Sequence, residues 1–301
     1  MDATRFYAHG KLMLTGEYAV LDGAKALAIP TRFGQRLEIS DSGKTSHQID
    51  WQSYNSENEL WLQAKLPNSD IESQEIARLQ QILRAVDALN PSVFCQKNIS
   101  FKTFLEFPQN WGLGTSSTLV SLLAQWANID PYELLDKTFG GSGYDIACAT
   151  ANEPIIYQNL NDQIQIENCK LSAQWTDHTY FVYLNQKKNS REAIAHYRSL
   201  SNTKEIVEAI NVLTMALGDS SDVDSSIDIL VEHEALMSNK LNLPSVNVDL
   251  FDNFKGACKS LGAWGGDYVM VLSKEEPKYI KDYFTKKGLD TIFAFEEMIW
   301  K

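Results

Sequence analysis

The chain has 301 residues, more than a typical single domain holds, so two closely packed domains are expected. Hydrophobic residues make up 44% and charged residues 22%, the balance of a soluble globular protein and not of a disordered one. A formal net charge of -12 excludes the basic stripe of a nucleic-acid-binding surface, and no apolar run approaches the roughly 20 residues that span a bilayer.

The N-terminus, Met1 to Arg5, is not followed by an apolar signal core, so a cytoplasmic protein is expected. Residues 4–8 read as a short strand running into His9-Gly10-Lys11. Segments near 34–40, 49–54 and 59–66 alternate apolar and polar residues, as half-buried strands do. From Ser73 to Leu89 the period becomes helical, with Ile76, Leu79, Ile82, Leu83, Val86 and Leu89 along one face. Lys97 to Phe107 alternates again and breaks at Pro108. A helix is predicted after Gly112-Leu113-Gly114, with Thr115, Ser116 or Ser117 as its cap and Leu119, Leu122, Leu123 and Trp126 as its apolar stripe. Asp130-Pro131-Tyr132-Glu133 opens another, with capping-box spacing and proline at the first helical position.

A polar stretch around 158–174 separates this half from a second pattern. There the reading gives a strand at 178–184 and helices near 203–217 and 225–241. A helix at about 248–261, a glycine turn, a strand at 267–273, a helix at 275–287 and a strand at 289–296 complete it. This mixed order predicts an α+β layer with a ferredoxin-like second half. Cys95, Cys148, Cys169 and Cys258 are widely spaced, without a CxxC pair or matching histidines, and read as reduced thiols.

Three glycine-rich segments carry chemistry. An acidic protein that handles phosphates needs a local positive pocket made from backbone N–H groups, a helix N-terminus and a few placed cations. Gly112-Leu113-Gly114-Thr115-Ser116-Ser117 suits that: glycines admit a phosphate to the backbone, and the helix N–H groups and dipole then point at it. Its serine hydroxyls are also hard oxygen ligands for Mg2+. Alone it reads equally well as a glycine-rich turn with a hydroxyl cap. Gly140-Gly141-Ser142-Gly143-Tyr144-Asp145 enters a run of small apolar residues; Asp145 is either a helix cap or a base beside a phosphate cradle. Leu261-Gly262-Ala263-Trp264-Gly265-Gly266-Asp267 is, by itself, a helix-to-strand turn.

Taken in order, these segments resemble the signatures of the galactokinase, homoserine kinase, mevalonate kinase and phosphomevalonate kinase (GHMP) family. The stretch His9-Gly10-Lys11 through Gly16-Glu17-Tyr18-Ala19-Val20-Leu21 resembles the first signature, Gly112 to Ser117 the phosphate-binding second, and Gly262 to Gly266 part of the third. The similarity extends loosely over nearly the whole chain. It implies a two-domain α+β architecture: residues 1–160 as a ribosomal-protein-S5-domain-2-like half with the ATP phosphate loop and catalytic aspartate, and 161–301 as a ferredoxin-like half.

The resemblance also implies roles. Lys11 matches a lysine beside the transferred phosphate, and Asp145 a catalytic aspartate. Gly112, Leu113, Gly114, Thr115, Ser116 and Ser117 match the ATP loop, with Ser117 and Glu133 as Mg2+ ligands. Glu17, Ser142, Tyr144, Gly265 and Gly266 fall on the substrate side, Glu17 doing either that or local structural work. Lys187, Lys188, Ser190 and Arg191 resemble a substrate-side segment, and read equally as a solvated loop. The chain departs from the family at His9, where proline is common, and at Trp264, where a glycine is usual; Asp267 closes the third signature. Glu133 lies one position farther from Asp145 than the family's metal-binding glutamate, and Asp136 is nearer.

Gly-Ser-Gly-Tyr-Asp-Ile-Ala at 141–147 is similar to the phosphomevalonate kinase form of that segment. The implied reaction transfers the γ-phosphate of Mg-ATP to a small anionic hydroxyl-bearing metabolite, phosphomevalonate first and mevalonate second, by a monomer or homodimer. Lys25, Lys187, Lys188 and Arg191 are the cations available to a phosphorylated acceptor, which must meet ATP without like-charge repulsion. Two further readings stand beside it: a catalytically idle relative that binds a metabolite, favoured by Trp264, and a diphosphomevalonate decarboxylase-like enzyme.

Overall fold

The computed structural model describes residues 3–41, 48–67, 73–95, 98–161, 163–186, 188 and 190–301. They form two compact units. Among the described residues the first takes in the chain up to Gly10, Phe33–Gln109 and Leu113–Thr150; the second takes in Lys11–Arg32, Asn110–Gly112 and Ala151–Lys301. Strands β1 (Thr4–Thr15) and β2 (Ala26–Asp41) pair with each other, and each runs from one unit into the other. β1 is longer than the short strand expected from the sequence, so His9, Gly10 and Lys11 lie within it and not after it.

In the first unit, β3 (Ile49–Tyr54), β4 (Leu60–Leu66), α1 (Gln74–Leu89) and β5 (Ile99–Leu105) follow β2, in the strand order β4-β3-β5-β2. β3 pairs parallel with β5, and β2 antiparallel with it, from Gln35 opposite Leu105 to Asp41 opposite Ile99. Ser73 starts α1 by accepting the Ile76 N–H at 3.2 Å. The apolar stripe of α1 is buried as its period requires. After β5 come α2 (Thr115–Ala127), α3 (Pro131–Thr138) and α4 (Tyr144–Thr150). Asp130 caps α3 by accepting the N–H groups of Tyr132 and Glu133, with Pro131 at the first helical position as predicted. Leu37, Trp51 and Phe101 of the sheet pack with Ile82 and Val86 of α1, Leu123 of α2, Leu134 of α3 and Ile146 of α4 in one core.

The second unit contains β6 (Ile155–Leu160), β7 (Gln163–Asn168), α5 (Ala173–Thr176), β8 (Thr179–Tyr183), α6 (Ser190–Ser199), α7 (Val207–Asp219) and α8 (Val223–Leu241). These are followed by α9 (Val246–Asp249), β9 (Ala257–Leu261), β10 (Tyr268–Leu272), α10 (Pro277–Thr285), β11 (Ile292–Ala294) and α11 (Phe295–Met298). The N-terminal part of β2 pairs with β6, and β6 with β7. A separate antiparallel sheet has the order β11-β8-β10-β9. Val182, Val269 and Val271 of that sheet pack on Ile280 and Phe284 of α10.

Several readings of the second half are corrected. The polar stretch after Gln158 is not a linker but the end of β6 and the hairpin strand β7, whose residues are mostly exposed because it lies at an edge. Residues 190–199 form α6, to which the sequence reading gave no helix; only Tyr197 of that helix is buried, so its apolar period is faint. The helix expected over 248–261 is instead the single turn α9 and the strand β9. All five residues of β9 are buried, and a strand covered on both faces carries no alternation to distinguish it from helix. The glycine segment after it therefore joins two paired strands, not a helix and a strand. The last strand is three residues long and passes directly into α11.

Candidate active site

The proposed site residues fall into two groups, one in each unit. In the first unit, Gly114 adopts the left-handed conformation (φ 95°) and is itself the N-cap of α2, with no side chain bonded to the exposed N–H groups. The hydroxyl cap expected at Thr115, Ser116 or Ser117 is thus replaced by glycine, which turns the chain sharply without covering the helix end. Leu113 is fully buried and anchors the turn, while Ser116 is exposed. Ser117 Oγ donates to the Gly114 carbonyl at 2.9 Å, which leaves its oxygen lone pairs for a cation.

α2 packs against α4. Gly140, Gly141 and Gly143 all have positive φ in the turn that delivers α4, and the Gly143 carbonyl accepts the N–H groups of Ile146 and Ala147. Asp145, half-buried in the first turn of α4, accepts the Ile146 N–H at 3.0 Å. Ser142 and Tyr144 are half-buried beside it in sequence. Burial, with the Asp145 charge next in effect, pushes the Tyr132 phenol up to about 12. Glu133, the next residue, is exposed in the first turn of α3. Ser117 and Glu133 supply hard oxygens of the kind Mg2+ shares with phosphate and water. Among the described residues no group of three or more His, Cys, Asp and Glu side chains is arranged to hold a metal ion by itself.

In the second unit, Lys11 Nζ donates to the Gly112 carbonyl at 2.8 Å. The backbone at Gly112 (φ 68°) favours glycine, because a Cβ would be strained at this φ and would push against the Asp267 carboxylate. The preceding Trp111 packs edge-on against Tyr268 and Phe293, and Tyr183 donates its hydroxyl to the Asn110 carbonyl at 3.1 Å.

Gly16 and Glu17, just beyond β1, enter a buried polar cluster. Glu17 Oε1 pairs with Lys259 Nζ of β9 at 2.6 Å, and both side chains are almost fully enclosed. The Gly16 N–H donates to His233 Nε2 at 3.1 Å, so this imidazole is neutral with its proton on Nδ1. Burial, seconded by the Lys259 charge, lowers the His233 pKa well below its ordinary value. Glu234 accepts from the Val246 and Ser260 N–H groups and the Ser260 hydroxyl. Burial raises both carboxylates, and the Lys259 charge opposes that rise. Glu17 is thus locked into a structural cluster inside its unit. Lys259, His233 and Glu234 escaped the sequence reading; the one available signal was a lysine in a run that had to be buried.

Gly262–Asp267 forms the β9–β10 connection. The Lys188 stem lies where a Cβ on Gly266 would be, and Gln186 donates its side-chain amide to the Gly265 carbonyl at 2.8 Å. Lys188, Ser190 and Arg191 are exposed, the last two opening α6; Lys187 lies outside the described residues. Trp264, unforeseen in its role, donates its backbone N–H to Tyr18 Oη at 2.7 Å and its indole N–H to the Pro244 carbonyl at 2.9 Å.

The sequence matches no protein-family model and no curated protein. Its fold does match solved structures. Streptococcus pneumoniae phosphomevalonate kinase, in complex with phosphomevalonate and AMPPNP, is 18% identical at a TM-score of 0.71, over 96% of this chain and 99% of that one. Methanococcus jannaschii mevalonate kinase is 16% identical at 0.68, over 97% of each chain. Lactococcus lactis galactokinase, complexed with galactose, is 11% identical at 0.73, over 100% of this chain and 94% of that one. The chain therefore has the α+β fold of the GHMP kinases, along its full length. Among the described residues no helix is long and apolar enough to cross a membrane.

Proposed function

We propose that this chain is an ATP-dependent kinase of the GHMP family. The observation that carries the reading is the Gly112-Leu113-Gly114 turn, which presents an uncapped helix N-terminus with Ser116 and Ser117 in its first turn. Such an end binds phosphate through backbone N–H groups and the helix dipole, as a protein of net charge -12 must do it. The shared fold supports the same reading; the division into domains at 1–160 and 161–301 is part of the proposal.

In the proposed reaction the acceptor hydroxyl oxygen forms a bond to the γ-phosphorus. The bond from that phosphorus to the β–γ bridging oxygen breaks, and ADP leaves. Asp145 orients the acceptor hydroxyl and takes its proton. Lys11 offsets charge on the transferred phosphoryl oxygens, and Gly112 to Ser117 hold the ATP phosphates. Ser117 and Glu133 would hold Mg2+, whose positive charge, when bound, neutralises the polyphosphate. Phosphomevalonate is the first acceptor proposed and mevalonate the second; Lys25, Lys188 and Arg191 of the second unit supply cations for a phosphorylated substrate.

The test is ADP release with Mg-ATP, offering phosphomevalonate, mevalonate, galactose and homoserine in parallel. Preference for phosphomevalonate supports the acceptor assignment, and preference for mevalonate keeps the mechanism but replaces the acceptor. Protein that binds ATP and turns over none of the four refutes both acceptor assignments and favours an untested acceptor or a catalytically idle relative.

A further inference from the structure

Tyr18 stands out within the second unit. It is a bulky residue at φ 60° and ψ -48°, a conformation that side chains of its size avoid. Such a conformation persists only where the surroundings hold it, and here two contacts of the side chain do. The ring is buried and stacks on Tyr197, with centroids 5.6 Å apart. Tyr197 in turn donates its hydroxyl to Asp22 at 2.9 Å, within the turn that follows Tyr18. The second contact is the Trp264 backbone N–H, donated to the Tyr18 hydroxyl oxygen at 2.7 Å. Burial raises the Tyr18 pKa to about 12, so this acceptor is a neutral hydroxyl at physiological pH.

Gly262–Asp267 needs such an anchor. Gly262, Gly265 and Asp267 all have positive φ, and glycines leave a loop conformationally free. The Trp264 indole is tied separately to the Pro244 carbonyl. The residue that a glycine-rich loop would not be expected to carry thus ties the loop by backbone and side chain together, beside the bonds that Gln186 makes to Gly265 and Asp267.

We propose that Tyr18 is a positioning residue that latches the Gly262–Asp267 loop through the Trp264 amide. Its role in phosphoryl transfer, holding that loop toward the acceptor, rests on the kinase reading; the latch does not. Tyr18→Phe keeps the ring and its stack and removes only the accepting oxygen. The half-buried Trp264 N–H, left without its acceptor, should exchange about tenfold faster, while β10 exchanges as before. Tyr197→Phe breaks the neighbouring bond to Asp22 and serves as the control; it should leave that exchange unchanged. In a chain active as a kinase, Tyr18→Phe should also lower kcat/KM for the acceptor without weakening ATP binding. Wild-type exchange rates in Tyr18→Phe overturn the proposal. So does equal acceleration in Tyr197→Phe, which would assign the effect to packing and not to the hydroxyl. Exchange needs no turnover, so failure of the kinase reading and failure of the latch register separately.

Discussion

Replacing Lys259 by Met removes the charge from the buried cluster around Glu17 and keeps most of the side-chain stem. Little cavity should open, so the cost falls on electrostatics. The Lys259 and Glu17 side chains are 1% and 5% exposed, and their 2.6 Å pair is shielded from water and salt. Removing one partner of such a pair costs about 3–5 kcal/mol, because the other charge stays buried. That is a large share of the roughly 5–15 kcal/mol that holds a domain folded. The loss should also depend on pH. Burial already raises the Glu17 and Glu234 carboxyls, and without the opposing Lys259 charge both rise further. A carboxyl whose pKa is higher folded than unfolded stabilises the fold below its unfolded value, and that stability is lost as pH rises through the folded value. His233, the remaining titratable group against Glu17, is neutral and adds no compensating charge there. The Lys259→Met penalty should therefore be small in acid and grow upward from the ordinary carboxyl value of 4.5. Urea unfolding followed by circular dichroism across pH 4 to 8 measures it. Adding Glu17→Gln should restore part of the lost stability, the non-additivity expected of residues that interact. A loss under about 1 kcal/mol, flat in pH and additive with Glu17→Gln, would refute the assignment.

On the proposed mechanism, Asp145→Asn nearly abolishes kcat while ATP still binds; unchanged kcat would remove Asp145 from the chemistry. Lys11→Met lowers kcat more than it weakens nucleotide affinity, and a loss confined to ATP binding would contradict a role at the transferred phosphate. Gly112→Ala puts a methyl group against the Asp267 carboxylate at a φ of 68°. It should cost about 1–3 kcal/mol of stability by urea unfolding and raise the Kd for ATP measured by titration calorimetry.

Much of the first unit was legible in the sequence because its signals are local. The Asp130 helix start, the α1 stripe from Ser73 onward and the alternation of β3 and β5 each act over a few residues. The three glycine segments were legible for the same reason, since a left-handed turn needs glycine wherever it occurs. The second unit was harder. β9 is buried on every side and shows no period, α6 buries one residue, and β7 is polar because an edge strand faces water.

The sequence alone was enough to locate the glycine turns at 112–114, 140–143 and 262–266 and the start of α3 at Asp130, and it predicts that phosphate would be met by backbone and not by a basic surface. Only the tertiary structure decided the partners of the buried charges. Glu17 and Lys259 are 242 residues apart, and neither residue carries a mark of the other. The same holds for Tyr18 and Trp264, 246 residues apart, whose bond joins a side-chain oxygen to a backbone N–H that every non-proline residue possesses. Such pairings arise when packing excludes water and leaves each polar group one available partner, a condition set by the whole fold and not by any segment of it.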